Sequence, residues 1–160
     1  MEKTVKQIGW KQVEKIWLEY LWPDRNTVTR MSSLIDAKNH NKVIYETYQP
    51  YFFGCIIDDH LVGVNSGHQT SRTHFRSRGL YVFPEWRRHG IGVELINATV
   101  QKAIQQQCKY IWTMPRKNAL PTYEKCGFVK KSPWFDTGTY MDRTIKLLEA
   151  NCYAERKLDG

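Results

Sequence analysis

Val82-Phe83-Pro84-Glu85-Trp86-Arg87-Arg88-His89-Gly90-Ile91-Gly92 is the stretch on which the reading of this chain turns. Before it, His74 to Phe83 reads as a strand that ends at Pro84. After it, Ile91, Leu95, Ala98 or Thr99, and Ala103 recur at helical spacing. The segment therefore joins a strand to a helix. A helix N-terminus presents N–H groups without intrahelical acceptors and the positive end of the helix dipole, so an anion there is stabilised without any side chain. Gly90 and Gly92 allow close approach of the backbone to a phosphate, and Arg87 and Arg88 add charge-assisted donors. Two other phosphate motifs are excluded. A dinucleotide fingerprint needs a third glycine where this chain has Leu95, and no Gly-Lys-Ser/Thr occurs.

The rest of the chain is organised around this junction. Thr4 to Ile8 alternates as a short strand, and Trp10, Val13, Trp17, Tyr20 and Leu21 follow at helical spacing up to the break at Trp22-Pro23. Ser32-Ser33 before Leu34-Ile35 predicts the N-cap of a short second helix. Tyr51 to Ile57 and Leu61 to Val64, with Asp58-Asp59-His60 between them, predict a hairpin in which His60 is a turn residue. Beyond the central helix come a strand over Tyr110 to Met114, a helical stretch around Ala119 to Lys125, and Gly127-Phe128-Val129. Met141, Arg143, Ile145 and Leu147 alternate as a closing strand. The order of elements is α+β: a mixed sheet flanked by helices.

At 160 residues, with 41% hydrophobic residues and six tryptophans, the chain has the length and aromatic content of one domain, residues 1–160. No repeat, low-complexity tract or linker marks a boundary. The first ten residues contain no apolar run long enough for a signal peptide or a membrane span, so a soluble cytoplasmic protein without membrane association is expected. Cys55, Cys108, Cys126 and Cys152 form no Cys-x-x-Cys pair, which argues for buried thiols and against a metal site. The formal charge of +8 favours an anionic partner, either nucleic acid or an anionic cofactor. The basic residues contain no solid run of five, which argues against a dedicated nucleic-acid tail.

Val-x-Pro-x-x-Arg-x-x-Gly-x-Gly, then an amphipathic helix, a strand and Tyr123-Glu124-Lys125-Cys126-Gly127-Phe128, resembles the paired signatures of the GNAT superfamily over Leu80 to Val129. The resemblance implies a GNAT fold, a mixed, mostly antiparallel sheet of six to seven strands with about four helices. It also implies transfer of an acetyl group from acetyl-CoA to a primary amine on a small molecule, a peptide N-terminus or a lysine, by a monomer or homodimer. On the family pattern, the backbone amides of Arg87, Arg88, His89, Gly90, Ile91 and Gly92 bind the coenzyme A pyrophosphate. Leu80, Tyr81 and Val82 end a strand splayed from its neighbour by a bulge and pair with the pantetheine arm, and Tyr123 donates to the departing sulfur.

Acetyl transfer needs an amine that has lost its proton and a donor for the tetrahedral oxyanion, here the Val82 N–H. A reference tyrosine titrates near 10 and a thiol near 8.5, so full proton transfer from Tyr123 is uphill by about 2 kcal/mol unless the site shifts one of them.

The sequence departs from the family twice. Seven residues before Tyr123 the family usually has an asparagine that contacts the pantetheine; this chain has Arg116, with Asn118 close by. Arg116 reaches either a phosphate or an acidic acceptor, or is solvated. Many relatives also carry a glutamate on the strand before the phosphate loop, whereas His74 to Phe83 contains no carboxylate. Ser77 lies near that place and cannot serve alone, which leaves His68 and His74 as candidate bases, directly or through water. Two rivals remain: a coenzyme A-binding module without catalysis, and a basic nucleic-acid-binding protein.

Overall fold

The computed structural model describes residues 2–36, 38–135 and 151–158. Seven strands form one sheet in the order β1-β2-β3-β4-β5-β7-β6. They are β1 Lys3–Ile8, β2 Tyr51–Ile57, β3 His60–Gln69, β4 His74–Val82, β5 Tyr110–Thr113, β6 Val129–Lys130 and β7 Ala154–Lys157. Four α-helices accompany them: α1 Trp10–Ile16, α2 Ile44–Thr47, α3 Ile91–Gln105 and α4 Leu120–Lys125. The sheet is mostly antiparallel, as expected, and among the described residues its one parallel pair is β4 with β5.

Alternation on β2 shows how the sequence makes two layers. Phe52 packs with Val13, Trp17 and Val28 on the α1 side, while Phe53, Cys55 and Ile57 pack with Ile91 and Leu95 of α3. A strand's side chains point to opposite faces in turn, so an apolar run such as β2 is what a sheet covered on both sides requires. The two-residue turn after β2 has left-handed backbone at Asp58 (φ 48°) and Asp59 (φ 68°), the geometry that matches the twist of a hairpin and that aspartate tolerates.

Two features separate β4 from its neighbours. In the pairing with β3, Ser66 faces Arg78 and Val64 faces Tyr81, so Gly79 and Leu80 together oppose Asn65. That is a β-bulge, with Gly79 at φ 82° as its left-handed residue. On its other edge β4 pairs with β5 only through His74, Phe75 and Arg76, opposite Tyr110, Ile111 and Trp112. Past Arg76 the ladder with β5 ends, so the rest of β4 is unpaired on that edge, and the place beyond the ladder's end is termed the wedge.

Two expectations change, and a third falls outside the described residues. Ser32-Ser33 caps no helix; the Ser32 hydroxyl accepts the Leu34 N–H, Leu34 bridges to His40, and the helix of this region is α2. The strand expected to end at Val64 continues to Gln69, because the polar groups of Asn65, Ser66 and His68 find partners inside the fold. The alternating residues Met141, Arg143, Ile145 and Leu147 lie outside the described residues, and β7 lies between β5 and β6.

Candidate active site

Pro84 stops β4 and opens a single 3-10 turn, Pro84–Trp86. Left-handed backbone at Arg88 (φ 65°) and Gly90 (φ 76°) then swings the chain into α3. Such turns gather successive amides into a concave anion site. Helical bonding begins with the Glu94 N–H to the Gly90 carbonyl at 3.1 Å, so the amides ahead of it lack intrahelical acceptors. A Cβ built on Gly90 meets nothing within 4 Å, so the torsion, and no steric contact, is what requires glycine there. At Gly92 a Cβ would lie 3.1 Å from Thr122 Cγ2, so this glycine lets the first turn of α3 approach α4.

The side chains of the turn divide by role. Arg87 folds back, donating from Nε to the Val82 carbonyl at 2.8 Å, with its guanidinium 5.5 Å from the Tyr81 ring centre. His89 Nδ1 lies 2.8 Å from the Arg87 carbonyl, and since a carbonyl only accepts, that nitrogen carries the proton. Arg88 is exposed.

At the end of β4, Leu80 and Val82 pack toward α3, and Tyr81 faces the other way, stacked on Tyr20 at 5.9 Å. The Phe83 N–H donates to the Val62 carbonyl of β3. Successive residues of a strand direct their backbone groups to opposite edges, so the Val82 N–H points to the open edge on the β5 side. The carbonyl of Val82 points the same way and is the one Arg87 holds.

Inside the wedge stands Tyr123, only 2% exposed. Its Oη lies 2.8 Å from Ser77 Oγ. Ser77 in turn accepts from Asn65 Nδ2 at 2.9 Å, and the same amide donates to Thr99 Oγ1 of α3 at 2.9 Å. The Tyr123 ring meets Phe128 edge-on at 5.0 Å. Burial raises the Tyr123 pKa above its ordinary value; the hydroxyls of Ser77 and Thr113 and the charge of Arg76 pull it down, and Cys126 adds slightly to the rise.

Comparison with known proteins bears directly on this arrangement. The sequence profile described as the acetyltransferase (GNAT) family matches residues 11–128, a span that runs from α1 through the phosphate turn and the wedge to Phe128. The chain belongs to the GNAT acetyltransferase family.

Solved structures agree with that fold. An aminoglycoside 6'-N-acetyltransferase complexed with coenzyme A superposes at a TM-score of 0.68, with 12% identity over 98% of each chain. A GNAT family acetyltransferase from Elizabethkingia anophelis with acetyl-CoA bound gives 0.63, with 13% identity over 98% of each chain. A nourseothricin acetyltransferase gives 0.59, with 23% identity over 69% of this chain and 66% of that one. No curated protein sequence gives a significant match. GNAT enzymes use acetyl-CoA as their acyl donor.

Within this GNAT chain the two candidate bases do not meet the wedge. His68 is fully buried on β3; Nε2 accepts the Ser32 N–H at 3.2 Å and Nδ1 lies 3.0 Å from the Gln69 carbonyl. Burial pushes its pKa down to about 3; the hydrogen bond to the Gln69 carbonyl opposes this, and the charges of Arg76 and Arg78 add smaller downward shifts. Its ring nitrogens are committed and have no path to a substrate proton. His74 starts β4, roughly 25 Å along the strand from Val82 at ordinary rise per residue. It stacks on Tyr110 at 4.8 Å, with Nδ1 2.8 Å from Thr73 Oγ1.

Arg116 extends from the loop after β5 toward the end of the π-helical turn that continues α1, with Nη2 3.5 Å from the Leu21 carbonyl. Asn118 sits in the exposed turn before α4, on the solvent side. Asn65, Thr99 and Thr113 were missed from the sequence. The signal for Thr99 was a hydroxyl on the buried stripe of α3, and for Asn65 an amide interrupting a buried strand; neither is informative until the partner is known.

Proposed function

We propose that residues 1–160 form one cytoplasmic domain that transfers an acetyl group from acetyl-CoA to a primary amine. The observation that carries this is the junction of β4 and α3. A glycine-turned helix N-terminus stands at the end of a strand whose far edge is open, with a buried tyrosine in the gap. The unpaired cysteines Cys55, Cys108, Cys126 and Cys152 support the cytoplasmic placement.

The residues present fit the cofactor. The Arg87 N–H is given to the Pro84 carbonyl at 3.2 Å, so the amides from Arg88 to Gly92, with the dipole of α3, suit its pyrophosphate, and the open edge of β4 from Leu80 to Val82 suits an extended amide-bearing arm. When bound, acetyl-CoA supplies an activated thioester, whose carbonyl carbon forms the new C–N bond as the C–S bond breaks. The Val82 N–H, on the open edge, is the donor for the oxyanion. Tyr123 would give its proton to the departing thiolate and regain one when the product leaves and water enters the site, while the proton that the nitrogen loses passes to solvent. With His68 sealed in the core and His74 at the far end of β4, the amine enters as the neutral base, so kcat/KM follows the amine's own titration.

A thiol-release assay with acetyl-CoA and a panel of primary amines tests the reading. Free thiol that depends on an amine is expected, together with weakened coenzyme A binding in Gly90→Ala, where an added Cβ meets no neighbour and only the left-handed turn is strained. A chain that binds coenzyme A yet releases no thiol with any amine would be a binding module instead.

A further inference from the structure

We infer that Asn65 and Ser77 are positioning residues that fix the direction of a buried hydrogen-bond chain, so that Tyr123 accepts a hydrogen bond from Ser77 and keeps its own proton free to give away. This rests on the reading of Tyr123 as the donor to the leaving thiolate, and adds to it which residues aim that proton.

The direction follows from counting hydrogens. Thr99 Oγ1 donates its one hydrogen to the Leu95 carbonyl at 2.9 Å, so toward Asn65 it can only accept. The Asn65 group beside it must therefore be the amide nitrogen, since turning the side chain over would set oxygen against oxygen. The second hydrogen of that nitrogen goes to Ser77 Oγ at 2.9 Å, where serine is the acceptor. Among the described residues the hydroxyl hydrogen of Ser77 has no acceptor other than Tyr123 Oη, 2.8 Å away, and is assigned there. Tyr123 then accepts, and its own hydrogen is left for an acceptor other than Ser77, with the Thr113 hydroxyl among the groups that act on the phenol.

Two consequences favour acid function. A hydroxyl donated to a phenol oxygen stabilises the phenolate, so Ser77 opposes the rise that burial imposes on Tyr123. The tyrosine's proton is also kept from Ser77 and left for a leaving group to take. The arrangement has a cost. Asn65 Oδ1 is buried and has no hydrogen-bond partner among the described residues, an expensive state for an amide oxygen. A chain serving packing alone would not need that amide, since an apolar residue there would leave no orphan. Asn65, Ser77 and Thr99 are each 1% exposed or less, so the chain does not exchange with bulk water. The charged and titratable groups that act on the phenol are Arg76 of β4 and Cys126 at the end of α4.

The test is a double-mutant cycle read with a pH profile. Ser77→Ala is expected to lower kcat about tenfold, the order for one hydrogen bond to a developing charge, with KM for acetyl-CoA within about twofold. The alkaline limb of kcat should move up by about one pH unit, because the tyrosine loses a group that stabilised its anion. In a Tyr123→Phe background, Ser77→Ala should add less than about twofold. Thr99→Val should act in the same direction as Ser77→Ala and Thr99→Ser should keep the rate. An equal loss from Ser77→Ala in both backgrounds, or an unmoved alkaline limb, would overturn the chain. An unchanged rate in Tyr123→Phe would overturn it too, leaving acetyl transfer intact. If the wild-type protein releases no thiol, the proposed function falls by itself. The chain is then judged on the ligand-free protein by the 13Cζ signal of Tyr123, whose alkaline titration should begin about one pH unit higher in Ser77→Ala and would refute the chain by staying put.

Discussion

Burial of His68 on β3 couples the stability of the fold to pH. Its pKa in the folded chain is about 3 against an ordinary 6.5, chiefly through burial. The native state therefore holds a neutral ring. Above about pH 6.5 neither state protonates and the full stabilisation is present. Below it the unfolded chain takes up a proton that the native chain refuses, so stability is lost as pH falls from 6.5 toward 3, at up to about 1.4 kcal/mol per pH unit. Urea unfolding at pH 7.5 and pH 5 should show the drop, and His68→Gln should make the curve flatter; an equal drop in the variant would place the effect on other groups. At this scale the sequence marked a histidine with a useful reference pKa. It could not show that Ser32 and Gln69 occupy both nitrogens, because those contacts depend on how residues 28–34 fold over β3.

Among the elements, β4 is where function depends on an irregularity. Gly79 is left-handed at φ 82°, and a Cβ there would lie 2.2 Å from Trp17 Cζ2, while Trp17 Nε1 donates to the Gly79 carbonyl at 2.8 Å. Gly79→Ala must therefore strain the backbone and displace a buried tryptophan. A loss of roughly 3 kcal/mol or more is expected, seen as a fall in Tm of about 10 °C for a chain of this size. A Tm within about 2 °C of wild type would show that the bulge relaxes without glycine. The strand itself was legible from its alternation and from Pro84, and so was the phosphate turn. The exact bulge was not, since register is settled by pairing with Val64, Asn65 and Ser66 across the sheet. The same limit explains the misread second helix: a serine pair reads as a cap only when a helix has a face to bury, and Leu34 instead turns back to His40.

Over the whole molecule, charge and shape act together at the phosphate turn. The chain carries a formal +8, and its described ion pairs include Lys3 with Glu94 at 2.8 Å. Pairing removes one charge of each sign, so the net excess persists as a field around the turn proposed to hold a diphosphate. The KM for acetyl-CoA should rise at least threefold between about 50 and 500 mM salt, as screening shortens the reach of that field. A KM independent of salt would assign binding to the local amides alone.

The sequence by itself determined the family, the order of strands and helices, and the turn where anion binding is possible, because these depend on periodicity and on neighbours a few residues apart. Only the tertiary structure decided which histidines are sealed away, where β4 bulges, and how Asn65, Ser77, Thr99 and Tyr123 meet. Those four come from two strands and two helices, and a hydrogen bond acts over about 3 Å of space whatever the distance along the chain.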